Sequence, residues 1–289
     1  MKHKVVISLM PMVGDIDQLE RMLFLLKQSS SYIDKEKFEI TLDVVYPLSD
    51  YFVDWNKSKI DRKFFIDKFE NLLLYTDGFH EIYWDIDTGE KYFGCVDFIT
   101  DIFNRHQVDV FIMLDTDAVF NPYALSIMLE ASLEAQKQGD KYIITPEYTK
   151  LWDNTWDILC NEKFKDKPYG YEKTSDPIID SVLQEDMVLE PITGFKFGGG
   201  WLTLVSKPLI TAIKIPKDVV GYSPIDTFIM MCASKIPGAV QYKIKNLVVC
   251  EDKKYLIRQN YKNYIVAKDV KNDHFKSTWK KLMQHYENL

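Results

Sequence analysis

A largely parallel α/β sheet is predicted for this 289-residue chain by three observations. Apolar segments rich in branched and aromatic residues alternate with segments of helical length and pattern through residue 146. No internal repeat or low-complexity linker interrupts them. Hydrophobic residues make up 46% and charged residues 27% of the chain, the balance of an ordinary globular protein long enough for a full core.

The elements follow in order. VVISLM (5–10) reads as a buried strand running into the Pro11–Gly14 loop, and Asp17 with Glu20, at capping-box spacing, predicts a helix over LERMLFLLKQ. FEITLDVVY (38–46) is strand-like, and a helix is expected around Arg62–Leu74. HEIYWDID (80–87) predicts a third strand, GCVDFITDIFNRH (94–106) a helix and VDVFIML (108–114) a fourth strand. PYALSIMLEASLEAQKQG (122–139) has proline in the first turn of a helix and glycine at its end. YIITP (142–146) is a fifth strand, and residues 147–190 form a loop-rich excursion. GFKFGGGWLTLVSKPLITAI then gives a glycine-rich lead into a strand and a helix. SPIDTFIMMCASK (223–235) predicts a helix, YKIKNLVVCED (242–252) a strand and KNDHFKSTWKKLMQHYENL a terminal helix. Residues 1–250 are expected as one domain and 251–289 as a C-terminal helical extension.

A net charge of −7 argues against a nucleic-acid surface, which needs a basic stripe. A phosphate-bearing ligand then requires a local cation, such as a bound metal. Cys95, Cys160, Cys232 and Cys250 are scattered without C-x-x-C spacing, which predicts reduced thiols in a cytoplasmic protein. The MKHKVVISLMPM start has too short an apolar run for a signal peptide, and no segment reaches the ~18 apolar residues of a membrane span. Membrane contact is expected only at the surface, through the basic terminal helix, with packing on the domain its first use.

The strongest functional signal is FIMLDTDAVFNPYAL (111–125). An apolar strand runs into Asp115 and Asp117, and burying such a pair idly costs more than the strand gains. On an extended backbone both side chains point the same way, so a divalent cation shared with a diphosphate resolves their repulsion. Asp15/Asp17 repeat the spacing but suit a helix N-cap, whereas Asp85/Asp87 suit either the same cleft or a turn before Gly89. The Gly198–Gly199–Gly200 run lets backbone approach a sugar or phosphate with Trp201 as a stacking face, or else makes a tight bulge. Tyr148, Trp152 and Trp156 gather aromatic rings in the excursion.

LDTDAVFNPYAL resembles the Asp-x-Asp segment of GT-A type glycosyltransferases, especially the family 2-like ones. The resemblance extends loosely over residues 4 to about 235, through a first strand ending near Pro11 and GGGWLTLVSK followed by an acid opening a helix. It implies a GT-A (Rossmann-like) mixed, mainly parallel sheet and a nucleotide-diphosphate sugar donor, a UDP-sugar first. It also implies a Mn2+ or Mg2+ ion and a hydroxyl acceptor on a glycan or related molecule. Asp115 would contact the ribose or metal and Asp117 the metal. Pro11, Asp85, Asp87, Gly199, Gly200 and Trp201 would line the donor site, and Asp226 in SPIDTF would be the general base. Ile225 stands where a second acid is often found in that family, and Asp226 also reads as a helix N-cap. A late histidine often joins the metal, which makes His274 the candidate, with His285 on a solvated face. A single carboxylate base implies inversion.

LDTDAV also fits the nucleophile motif of haloacid dehalogenase-type phosphatases, with Asp115 as nucleophile, Asp117 as acid/base, Thr145 ending a strand, and Lys207 and VVCED in the remaining roles. Three strands precede the motif here, whereas in that family it follows the first. A non-catalytic sugar-nucleotide-binding protein on the GT-A fold is the third class.

Overall fold

Successive side chains of the central strands enter two apolar clusters in alternation, and that alternation sets the layering. In the computed structural model, residues 2–89, 91–149, 159–164, 185–196, 198–221, 223–251 and 268–289 are described, the side chains of 251 and 268–275 excepted. Val5, Ile7 and Leu9 of β1 (His3–Leu9) enter one apolar cluster and Val6 the other. β4 (Val110–Met113) divides likewise, Val110 and Ile112 against Phe111 and Met113. Both faces are covered, which explains why β4 is apolar throughout and β1 nearly so from Val5 onward.

On the first face lie α1 (Ile16–Ser30), α2 (Arg62–Asn71) and α4 (Ala124–Gln138). On the second lie α3 (Cys95–Arg105), α5 (Lys207–Ile213), α6 (Ile225–Ala233) and the terminal α7 (Lys268–Asn288). The remaining strands are β2 (Phe38–Pro47), β3 (Glu81–Asp87), β5 (Ala118–Val119), β6 (Tyr142–Tyr148), β7 (Val188–Pro191), β8 (Thr203–Ser206) and β9 (Val240–Glu251). Their order is β3-β2-β1-β4-β8-β6-β9-β5, with β7 on β9. The pairs β1/β2, β1/β4, β2/β3 and β6/β9 are parallel. β8 runs antiparallel to both β4 and β6, so the sheet is mixed and mainly parallel, as expected.

Several boundaries depart from the sequence reading. Asp15, not Asp17, holds the N-cap position of α1, and its Oδ2 accepts from the Met12 amide at 3.2 Å. α4 starts at Ala124 because Asn121 organises the preceding turn, its Oδ1 accepting from the Tyr123 amide at 3.0 Å and its carbonyl from the Ala124 amide at 2.8 Å. Pro122 therefore precedes the N-cap instead of lying in the first turn. The short strands β5 and β7 carry no readable periodicity and went unpredicted.

The terminal helix packs onto the second face. Leu282 is fully buried, and Trp279 and Tyr286 lie against the same cluster. His285, expected on a solvated face, is half-buried, with Nε2 2.8 Å from the Ile213 carbonyl. Replacing Leu282 by Ala is expected to cost about 2–5 kcal/mol in urea unfolding, the price of a core cavity. A loss below about 0.5 kcal/mol, typical of surface changes, would show that α7 is peripheral to the fold.

Candidate active site

β4 and β1 end side by side at the carboxyl edge of the sheet, where α/β folds place ligands. Past Met113 the chain leaves the strand. The Asp115 amide donates to the Gly200 carbonyl at 3.1 Å, and the Ala118 amide donates to the Asp115 carbonyl at 3.2 Å, closing a four-residue turn. This corrects the expectation that both aspartates sit on extended backbone: Asp115 is exposed at the start of the turn, whereas Asp117 is 7% exposed within it. Arg21 of α1 braces the turn, its Nη2 donating to the carbonyls of Thr116 at 2.9 Å and Ala118 at 3.4 Å. On the far side β5 pairs Ala118 with Glu251, bringing the end of β9 one residue from Asp117.

The glycines before β8 permit this approach. A Cβ on Gly200 would stand 3.0 Å from Asp115 Oδ2. Gly199, with φ at +65°, lies over Trp201, whose ring a Cβ there would meet at 2.7 Å. Trp201 itself is 7% exposed and packs against Tyr148, with ring centroids 5.1 Å apart. That burial corrects the expectation of an open stacking face.

The donor-site candidates at the other strand ends divide. Pro11 is buried in the loop after β1, and its neighbour Met10 lines the cleft. Asp85 accepts from the Ile86 amide at 2.9 Å and the Tyr83 hydroxyl at 3.3 Å. Asp87 is buried and spends its carboxylate on the loop that follows: Oδ1 accepts from Gly89 and Lys91, and Oδ2 from Tyr92. Asp87 thus organises the loop that follows β3, the turn alternative of the sequence reading.

Asp226 does face Asp115. Both border a cleft of about 220 Å³ between α3 and the start of α6, with Met10, Cys95, Phe98 and Ser223 along its walls. Pro224 holds the N-cap position of α6, so Asp226 lies in the first helical turn, where its Oδ1 accepts from the Thr227 amide at 2.7 Å. It keeps partial solvent access yet sits deep among protein atoms, and this desolvation pushes its carboxyl above the usual range, against the pull of the Thr227 amide. Burial likewise pushes the Cys95 thiol up to about 12, so Cys95 is a neutral wall of the cleft. His274 and Trp152 and Trp156 fall outside the described side chains.

Among the described residues no group of three or more His, Cys, Asp or Glu side chains converges on one point. Asp115 and Asp117, brought onto one turn, are the two carboxylates that the sequence reading assigns to a cation, to be completed by phosphate oxygens. Magnesium-like ions are bound in that way. Of the phosphatase candidates, the end of β9 with Glu251 reaches the acidic turn, but Lys207 does not. Lys207 follows the β8 residue paired with Val110, at the opposite end of β4 from Asp115, and its Nζ donates to the Phe103 carbonyl at 2.5 Å. Arg21, Cys95, Asp97 and Ser223 were not read as site residues; each reaches the site through contacts distant in sequence.

No protein-family model matches the chain, and no curated protein matches its sequence. Solved structures do match. The mannosyltransferase PcManGT from Pyrobaculum calidifontis, in complex with GDP-Man and Mn2+, gives a TM-score of 0.52 at 11% identity, covering 90% of this chain and 61% of that one. TarS 1-349 from S. aureus gives 0.43 at 11% identity (85% and 60% covered), and a mycobacterial protein 0.46 at 11% (86% and 67%). The chain spans about 60% of the TarS and PcManGT structures it matches. The fold assignment rests on PcManGT and is the GT-A fold that the sequence resemblance implied.

The raised Asp226 carboxyl has a stability consequence. Its folded-state pKa exceeds the unfolded value of about 3.9, so ionisation penalises the native state: the penalty is absent below that value and complete above the folded one. Asp226→Asn is expected to raise the unfolding midpoint at pH 7, about 2–4 °C per kcal/mol regained, and to lose the gain below about pH 4. Melting curves of wild type and variant across pH check this; a gain over wild type no larger at pH 7 than at pH 3.5 contradicts it.

Proposed function

We propose that this chain is a metal-dependent glycosyltransferase that moves a sugar from a nucleotide-diphosphate donor to a hydroxyl acceptor. The observation that carries the reading is the placement of Asp226 across one cleft from Asp115, at the carboxyl edge of a GT-A sheet. Asp115 and Asp117 are the residues assigned to a Mn2+ or Mg2+ ion. When bound, such an ion neutralises charge on the departing diphosphate. Gly199 and Gly200 let backbone and the Asp115 carboxylate come together at the place assigned to the donor.

Asp226 is assigned as the general base. A carboxyl raised by burial is matched to taking a proton from an acceptor hydroxyl near neutral pH better than an ordinary surface aspartate is. One base opposite the donor site suits direct displacement, hence inversion. The acceptor is a hydroxyl on a glycan or related molecule. A UDP-sugar is the first donor to test, with GDP-mannose beside it because the matching PcManGT structure holds GDP-Man.

Thermal unfolding with UDP, GDP and other nucleoside diphosphates, with and without manganese, tests the reading. One nucleotide at ~100 times its dissociation constant should stabilise the protein by about 2.7 kcal/mol, only with the metal present. Asp117→Ala is expected to abolish that increment while leaving the unliganded midpoint within a few degrees. Manganese-dependent stabilisation that survives in Asp117→Ala sinks the metal assignment. Stabilisation by beryllium fluoride with magnesium, and by no nucleotide, would favour a phosphatase.

A further inference from the structure

The segment that leads into Asp226 is gripped by the first turn of α3. The Val96 amide donates to the Gly221 carbonyl at 3.2 Å, and the Gly221 amide donates back to Asp97 Oδ1 at 3.0 Å. Cys95 Sγ donates to the Ser223 carbonyl at 2.9 Å. Gly221 has φ of +106°, a left-handed conformation that favours glycine and lets its amide and carbonyl both meet α3. From the other side Thr278 Oγ1 of α7 donates to the Val220 carbonyl at 2.6 Å.

Local capping accounts for only half of Asp97. An acid at the third helical position ordinarily reaches back to the free amides before its own helix. Oδ2 does so, accepting from the Phe93 amide, but Oδ1 spans 124 residues to Gly221. α3 is a firm anchor for that reach. At its far end Arg105 Nη2 and His106 Nε2 each lie 2.6 Å from Oδ2 of the fully buried Asp43. At its near end Asp87 holds the preceding loop through the Tyr92 amide at 2.9 Å.

We infer that Asp97 is a positioning residue for Asp226: by holding Gly221 it fixes the backbone that leads to α6, and so, together with the Cys95 bond to Ser223, the place of the base in the cleft. The inference rests on the proposed role of Asp226. Without the Oδ1 contact the segment loosens, water reaches Asp226, and its carboxyl falls toward the ordinary range. The titratable groups coupled to this part of the cleft are Cys95, Asp97, Asp115 and Tyr148, none of them a cation.

The test uses the full chain with Mn2+ and with UDP-glucose and GDP-mannose as probes, water replacing the acceptor and nucleoside diphosphate release as the readout. Asp97→Ala is expected to lower kcat about tenfold to hundredfold, as a misplaced catalytic group does, with donor KM within about twofold. The acid limb of its pH profile should move to lower pH. Asp97→Asn, whose amide oxygen can still accept from Gly221, should recover part of the loss. If Asp97→Ala does not fold, Asp97→Ser, too short to reach Gly221, is read in the same way. Wild-type kcat and an unmoved acid limb in these variants, with Asp226→Asn inactive, overturn the positioning role alone. Wild-type turnover in Asp226→Asn removes the base assignment and the inference with it.

Discussion

The hydrogen bond from the Asp115 amide to the Gly200 carbonyl is the contact on which the site depends. Parallel strands bring only their carboxyl ends to one edge of a sheet. β8 runs the other way, so its amino end, with the glycines before it, arrives at that same edge beside the end of β4. The bond extends this pairing beyond the last ladder pair, Met113 with Thr203. It fixes the acidic turn to a strand buried on both faces, and through Trp201 and Tyr148 to the core. Position 200 must then lack a side chain, because the Asp115 carboxylate occupies the space a Cβ would take.

The buried acids of this chain separate by what their oxygens meet. Asp87 receives three backbone amides, and Glu147 receives Asn161, the Asn246 amide and Lys243. Asp43 receives Arg105 and His106. These acids fasten loops and strand irregularities to the sheet, since a buried carboxylate is tolerated when donors replace its water. Asp226 is provided for differently: one strong amide contact and a cleft on its other side. Its raised carboxyl is the electrostatic trace of that incomplete replacement.

Much of the scaffold was legible because it is written locally. The central strands β1, β2, β4 and β6 are apolar runs, and α3, with buried residues from Val96 to Phe103, carries its stripe in its own sequence. The turn at Asp115 was legible as a functional place, though not in its geometry. Alternation along a strand assumes the strand continues, and here it stops at Met113. Asp87 shows the same limit, since Gly89 after it signals a turn while the cleft reading needed a contact that the loop had already consumed. Arg21 and Asp97 were illegible for a plainer reason: their partners lie 95 and 124 residues away. Such partners are chosen by topology, and for Asp97 the capping half of its role even masks the other half.

The distribution of charge bears on the order of events under the proposed function. The cleft gathers Asp115 and Asp226 on a chain of net charge −7, so a diphosphate approaching without a cation meets repulsion. Arg21 keeps its positive charge beside the turn, its Nη2 directed to the carbonyls of Thr116 and Ala118. Under the proposed function a cation bound with the ligand or ahead of it supplies further neutralisation. Coupling of this kind is reciprocal: whatever the cation adds to nucleotide affinity, the nucleotide returns to cation affinity. A two-carboxylate site of modest affinity alone, tightened by phosphate oxygens, is what that reciprocity demands of Asp115 and Asp117.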